Sequence, residues 1–465
     1  MTKSWLPTVA AYLRNPHLLS MAGNLAVSGL GIVSVGLLFR ALSVRDIGVW
    51  VLFSSTIGLA DAFRAGFLTT AFVRARAGAS PARATEVAGS AWVIALVITG
   101  ALALLNLGAG VGAGLVFKAA EHPEATLLLR WFGVVLVASL PNFMAGCVLQ
   151  AELRFDRLLY LRLLTQGLFV ASIAGLMLTH TATLERVVHS YVLATAATAV
   201  VMLALGWAGL GSLASRTSAC VRELAHFGKY SVGSYLGSSL LRSSDTFIIS
   251  MLLGPAALAV YNLPGRFSEL IELPLRSFLA TATPAMAAAF HQHRLAEVAR
   301  LLRKNAGILT WAFVPLVLGT LLLADVPVYL IGGGKYRGTE AANLLRIGMV
   351  MALLYPIDRF VGVTLDIVNQ PRLNLIKVFL MLAVNVLADV VALSLFHSIY
   401  AVALASIPTI LVGFAFGFVQ LKKWLPVSLH AIVVTGWDEI RILARRLVGK
   451  PTPPLPAKSP TEPFA

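Results

Sequence analysis

The chain has 465 residues, of which 58% are apolar and only 12% charged, with a formal net charge of +16. Charged residues make up about a quarter of soluble proteins, so these proportions exclude an ordinary soluble domain. No basic stripe interleaved with aromatics points to nucleic acid. Two cysteines, Cys147 in an apolar run and Cys220 in a basic loop, supply neither a disulfide framework nor a zinc spacing. The lone His291-x-His293 pair sits in a charged loop, so neither a metal nor another cofactor is expected.

The apolar runs divide into about twelve predicted spans, each near the roughly twenty residues that cross a bilayer's hydrocarbon core. Spans 1 to 6 fall near 18–39, 47–73, 87–117, 127–150, 158–178 and 187–210. Spans 7 to 12 fall near 230–253, 257–284, 306–331, 341–368, 375–396 and 400–421. The first run is too long for the apolar core of a cleavable signal and leads straight into another span. The expected fold is all-α, a polytopic membrane protein of about twelve transmembrane helices in two pseudo-symmetric six-helix lobes. Residues 1–215 form the N-terminal lobe, 216–425 the C-terminal lobe, and 426–465 a cytoplasmic amphipathic helix and Pro-rich tail.

Loops after even-numbered spans hold Arg74, Arg76, Arg83, Arg154, Arg157, Arg216, Arg222, Lys229, Arg294, Arg300, Arg303, Lys304 and Arg372. The opposite loops hold fewer cations, so the positive-inside rule places both termini in the cytoplasm. Those outer loops are too short to carry a catalytic domain, and no enzyme is expected. Beyond the last span, Trp437, Ile440, Leu443 and Leu447 share an apolar face opposite Arg441, Arg445 and Arg446, which suits a helix on the inner leaflet. The proline-rich composition from Pro451 onward predicts disorder.

The segment from Leu37 to Trp50 recurs in pattern from Ile248 to Tyr261: an apolar helix end, a short turn, then a small residue and an aromatic opening the next helix. With six spans per half, the halves become parallel repeats about an axis along the membrane normal, and such repeats hold substrate at their interface.

Charges inside the spans are the most informative feature. Span 2 carries Asp61 and Arg64; span 7 Arg242 and Asp245; span 8 Arg266, Glu269, Glu272 and Arg276; span 10 Asp358, Arg359 and Asp366. Each costs about 2.5–3.5 kcal/mol at a helix centre facing lipid, so these groups must face one another or water. Arg266, Glu269, Glu272 and Arg276 lie along one continuous face of a helix. Tyr235, Ser238, Arg242 and Asp245 form a similar stripe, as do Tyr355, Arg359, Gly362 and Asp366; span 1 offers Asn24, Ser28 and Gly31. Pro264 and Pro274 loosen span 8, as suits a helix lining a cavity. Asp61–Arg64 and Arg242–Asp245, three apart, could also be structural pairs, but their concentration on a few helices favours a shared aqueous cavity. Arginine's planar fork suits a phosphate or pyrophosphate. A poorly hydrated carboxylate can carry a proton through a transport cycle or take a cation. Asp61, Asp245, Glu269, Glu272 and Asp358 are the ion-coupling candidates.

The turn Ser43–Asp46 followed by Gly48-Val49-Trp50, with Asp61 ahead of Gly66, resembles the oligosaccharide flippases of the multidrug/oligosaccharidyl-lipid/polysaccharide exporter superfamily. The segment Asp245-Thr246-Phe247-Ile248-Ile249, then Leu253-Gly254, Val260-Tyr261 and Arg266, is similar to that family's most recognisable stretch. Pro284 closing span 8 and Asn369-Gln370-Pro371-Arg372 after span 10 fit as well. The resemblance runs from about Leu19 to Leu421. It implies a two-lobed bundle with alternating access that flips undecaprenyl-pyrophosphate-linked sugar repeat units for O-antigen or exopolysaccharide. It further implies a bacterial inner-membrane location, a lipid-linked oligosaccharide and membrane lipid as partners, and a polysaccharide polymerase or chain-length regulator nearby. It places Arg64, Arg242, Arg266, Arg276 and Arg359 in a cationic central cavity; the acids Glu269 and Glu272 on span 8 depart from a purely cationic one. The alternative within the superfamily is an ion-coupled drug or small-solute antiporter. A major-facilitator transporter lacks its signature in the loop 74–86, and a glycan polymerase or ligase would need a long outer loop.

Overall fold

The computed structural model describes residues 16–116 and 123–447, so the Pro-rich tail lies outside the described residues. Among the described residues every regular element is helical. Helices α1 (Pro16–Ala41), α2 (Val44–Arg76), α3 (Pro81–Val116), α4 (Pro123–Ala151), α5 (Phe155–Leu178) and α6 (Leu184–Ala204) follow the first six predicted spans. A 3-10 turn at Leu210–Ser215 leads to α7 (Ser218–Leu252), α8 (Pro255–His291) and α9 (Leu295–Leu323). After these come α10 (Asp325–Gly332), α11 (Ala341–Ala352), α12 (Tyr355–Ile367), α13 (Pro371–Phe396), α14 (Ile399–Lys422) and α15 (Leu429–Leu447).

Among the described residues, eight helices, α2 to α6, α9, α13 and α14, are long and apolar enough to cross a membrane. Predicted spans 7, 8 and 10 fall short for identifiable reasons. Charged and hydroxyl side chains dilute α7 and α8, and span 10 is broken into α11 and α12. That break precedes Pro356, whose ring cannot donate a backbone hydrogen bond and crowds the preceding turn. Span 9 likewise divides, α9 ending at Leu323 and α10 restarting at Asp325. Pro284 does not close span 8: α8 runs on through Pro264, Pro274 and Pro284 to His291.

The described helices form two compact units. One takes in the chain through Leu263, with Asp325–Ala341 and Asp389–Val402; the other comprises Pro264–Ala324, Ala342–Ala388 and the chain from Ala403.

In the first unit α2 packs along α7. Ser43 caps α2, accepting from the Asp46 amide at 3.1 Å and donating to the Asp46 carboxylate at 2.7 Å. Gly254, with φ of +84°, makes the turn before α8, so both copies of the repeated segment form a helix–turn–helix corner. The corners touch: a Cβ on Gly48 would collide with the Pro255 carbonyl. Leu68, Phe72, Trp92, Met144 and Met202 build the core, and the Trp92 indole N–H donates to the Ala208 carbonyl at 2.8 Å. Cys147 and Cys220 are buried and unbridged. Lys335 donates to the Arg40 and Leu42 carbonyls at 2.9 and 2.5 Å, while the Arg40 guanidinium donates back to the Leu330 carbonyl at 2.8 Å.

In the second unit α15 packs on α9 through a close backbone crossing of Gly307 and Gly436. The Trp311 indole N–H donates to the Val433 carbonyl at 2.9 Å, Trp311 lies 4.7 Å from Trp437 between ring centres, and Lys304 pairs with Glu439 at 2.8 Å. Ile432 and Gly436 are buried, whereas Leu429, Val433, Val434 and Trp437 are exposed. The residues turned to the protein are thus offset from the predicted apolar face; of that face, the side chains of Leu443 and Leu447 lie outside the described residues.

Leu104, Leu105, Leu178, Met251 and Leu322 are all at least 68% exposed. Such surface is unfavourable in water but is the natural solvent-facing surface in hydrocarbon, where backbone groups are satisfied within each helix.

Candidate functional site

Charged side chains on the spans gather into four local groups. In the first unit, Arg64 of α2 is fully buried at 1% exposure and pairs with Asp61 one turn earlier. Its guanidinium also donates to the Ser139 hydroxyl at 2.8 Å, the Leu136 carbonyl at 3.1 Å and the Thr99 hydroxyl at 3.4 Å, with the Phe143 ring 5.3 Å away. A planar fork with five N–H donors can satisfy this many acceptors where an ammonium cannot. Arg64 is therefore a packed cross-link from α2 to α3 and α4, and the half-exposed Asp61 carboxylate is its accessible partner.

On α7, Arg242 is exposed and Asp245 is partly buried. The Asp245 carboxylate accepts from the Tyr261 hydroxyl at 2.5 Å, and the buried carboxyl of Asp389 on α13 lies close enough for the two acids to interact electrostatically. Two ionised carboxylates close together repel one another, so such a pair favours a proton or a cation between them. Asp389 was not singled out from the sequence. The available signal was an acid at mid-run in an otherwise apolar span, four residues after Asn385 and so on the same helix face.

In the second unit, Glu272 of α8 pairs with Arg276 at 2.5 Å and lies 4.0 Å from Arg359 of α12. The Arg276 and Arg359 side chains are 69% and 53% exposed, so two accessible guanidiniums share one carboxylate. Arg266 is partly buried on the same helix, and the side chain of Glu269 lies outside the described residues. Asp358, next to Arg359 in sequence, points elsewhere. It is paired with Lys377 of α13, a buried lysine the sequence reading passed over. Asp366 accepts from the Asn374 side-chain amide at 3.0 Å.

Membrane-length helices carrying buried ion pairs define a multi-pass membrane protein built like a transporter. Solved structures agree on the fold. The chain matches an inward-facing multidrug resistance MATE family transporter of the MOP superfamily with a TM-score of 0.71 at 15% identity, covering 85% of this chain and 95% of that one. It matches the lipid II flippase MurJ in an inward closed conformation with a TM-score of 0.72 at 12% identity, covering 94% of each. A MOP superfamily transporter from Pyrococcus furiosus gives 0.58 at 16% identity over 87% of this chain and 94% of that one. No curated protein sequence matches the chain. The family model described as polysaccharide biosynthesis protein matches residues 37–340. The chain belongs to that polysaccharide biosynthesis family, and its fold is that of the MOP superfamily, in line with the resemblance drawn from its turns.

Proposed function

We propose that the chain flips undecaprenyl-pyrophosphate-linked oligosaccharide repeat units across the bacterial inner membrane for O-antigen or exopolysaccharide synthesis, leaving the substrate chemically unchanged. The reading has it work by alternating access of two six-helix lobes, residues 1–215 and 216–425, with both termini and the segment 426–465 in the cytoplasm. A polysaccharide polymerase or chain-length regulator receives the product.

The observation that carries the reading is the Arg276–Glu272–Arg359 group. Two exposed guanidiniums around one carboxylate leave a surplus positive charge, presented by planar forks that fit a pyrophosphate. Arg242 and Arg266 extend this anion-binding role, while Arg64 serves it indirectly by fixing Asp61. Coupling to an ion falls to the carboxyls: Asp245 with its partner Asp389, then Asp61, Glu269, Glu272 and Asp358.

The test is complementation of a strain lacking the gene. Arg276→Ala and Arg359→Ala are expected to reduce surface glycan at least tenfold with the protein still inserted, as are Arg242→Ala and Arg266→Ala; Glu272→Gln also loses export. Wild-type glycan from the Arg276→Ala, Arg359→Ala double variant defeats the reading. The Asp245–Asp389 pair favours a second reading, an ion-coupled drug or small-solute antiporter. In that case the arginine variants keep transport, and only substitutions at the carboxyl pair abolish it.

A further inference from the structure

Asp358 and Arg359 are neighbours on α12, so their side chains leave the helix about 100° apart. Asp358 turns inward to α13, where its carboxylate pairs with the Lys377 ammonium, which also donates to the Asp358 backbone carbonyl at 3.2 Å. Arg359 turns the other way, 53% exposed and towards Glu272 of α8. The space for Lys377 is built in. A Cβ on Gly417 of α14 would come within 3.3 Å of the lysine Cδ and 2.9 Å of Val361, and a Cβ on Gly362 would meet the Asn374 side chain at 3.1 Å. The Asn374–Asp366 hydrogen bond at 3.0 Å adds a second tie between the same two helices. α12 is only 13 residues long and is separated from α11 by the break before Pro356, so no continuous backbone ladder sets its rotation. Side-chain ties must do so.

We infer that Lys377 is a positioning residue: its buried pair with Asp358 clamps α12 on α13 in the rotation that holds Arg359 beside Glu272 and Arg276, completing an anion site for a pyrophosphate headgroup. This rests on the reading of that cluster given above. An exposed arginine on an unclamped helix would sample many orientations, and the cost of ordering it would weaken binding. The pair thus acts on affinity through Arg359, without touching the ligand.

A thermodynamic cycle tests this on the full-length protein in nanodiscs, with undecaprenyl pyrophosphate as the binding probe. Removing both charges, Asp358→Asn with Lys377→Met, leaves no orphaned ion in the interior and is expected to weaken binding about tenfold. Adding Arg359→Ala to that background is expected to cost little more, because the two changes break one device. Lys377→Arg is expected to stay within about threefold of wild type. Lys377→Gln, which keeps a donor for the Asp358 carbonyl, is a second route into the cycle should the double variant not fold. Wild-type affinity in the charge-free pair, or losses that simply add to that of Arg359→Ala, overturns the positioning role. Wild-type affinity in Arg359→Ala itself overturns the pyrophosphate site, a result distinct from failure at Lys377 alone.

Discussion

Arg64 and Asp61 share a helix turn, yet their surroundings differ: the guanidinium is at 1% exposure and the carboxylate at 47%. Spacing alone says that the two can pair. It does not say which of them meets water, because that depends on Ser139 and Leu136, some 75 residues further along and brought in by α4. Burial of an arginine with four acceptors makes it structural. Arg64→Ala is expected to destabilise the protein by about 1–3 kcal/mol, since it takes the buried donor away from Ser139, Thr99 and the Leu136 carbonyl and leaves the half-exposed Asp61 without its partner. Thermal unfolding in detergent measures the loss, and Arg64→Lys should recover only part of it because a point charge cannot span the same acceptors. Lys377 and Asp389 were missed for a related reason. They are the two charges of one apolar run, and the meaning of each comes from Asp358 and Asp245, which no local pattern connects to it.

Helices were the most legible level. Runs of apolar residues long enough to span hydrocarbon located the eight helices that qualify as membrane spans among the described residues, since lipid enforces intrahelical hydrogen bonding wherever such a run occurs. The breaks were harder. Pro356 interrupts span 10, whereas Pro264, Pro274 and Pro284 sit inside an unbroken α8. Proline removes one hydrogen bond in either setting, and tertiary packing decides whether the helix resumes in line. The amphipathic pattern of α15 foretold a helix but not its docking, which turns on Gly436 meeting Gly307 at backbone distance. Gly436→Leu is therefore expected to push α15 off α9, breaking the Trp311 hydrogen bond to Val433. Tryptophan emission shifting to the red, with faster proteolysis in the 423–428 loop, would report the release; an unchanged spectrum and cleavage rate would mean that the crossing tolerates the bulk.

At the scale of the whole molecule, the proposed ion coupling rests on carboxyls far apart in the chain. Asp245 and Asp389 belong to α7 and α13, and their proximity, with Tyr261 bonded to Asp245, brings together two segments with most of the C-terminal half between them. Two acids held close together form a site whose occupancy by a proton responds to pH or to a competing cation. Asp389→Asn is expected to leave substrate binding in place and to remove the stimulation of transport by a proton or sodium gradient. Reconstituted vesicles with an imposed gradient provide the readout, and a full gradient response in the variant excludes the pair from coupling. Family membership and fold were both foreshadowed by the turn residues around Gly48 and Gly254, whose constraints are local.

Cys147 is 2% exposed and Cys220 is fully enclosed. The folded wild-type protein thus presents no thiol to a bulky maleimide. A single cysteine introduced at Arg242, Arg276 or Arg359 becomes the sole labelling position without prior removal of native sulfur. Membrane-impermeant reagents applied from one face and then the other can then tell which aqueous compartment each position meets, and whether that changes as the protein turns over.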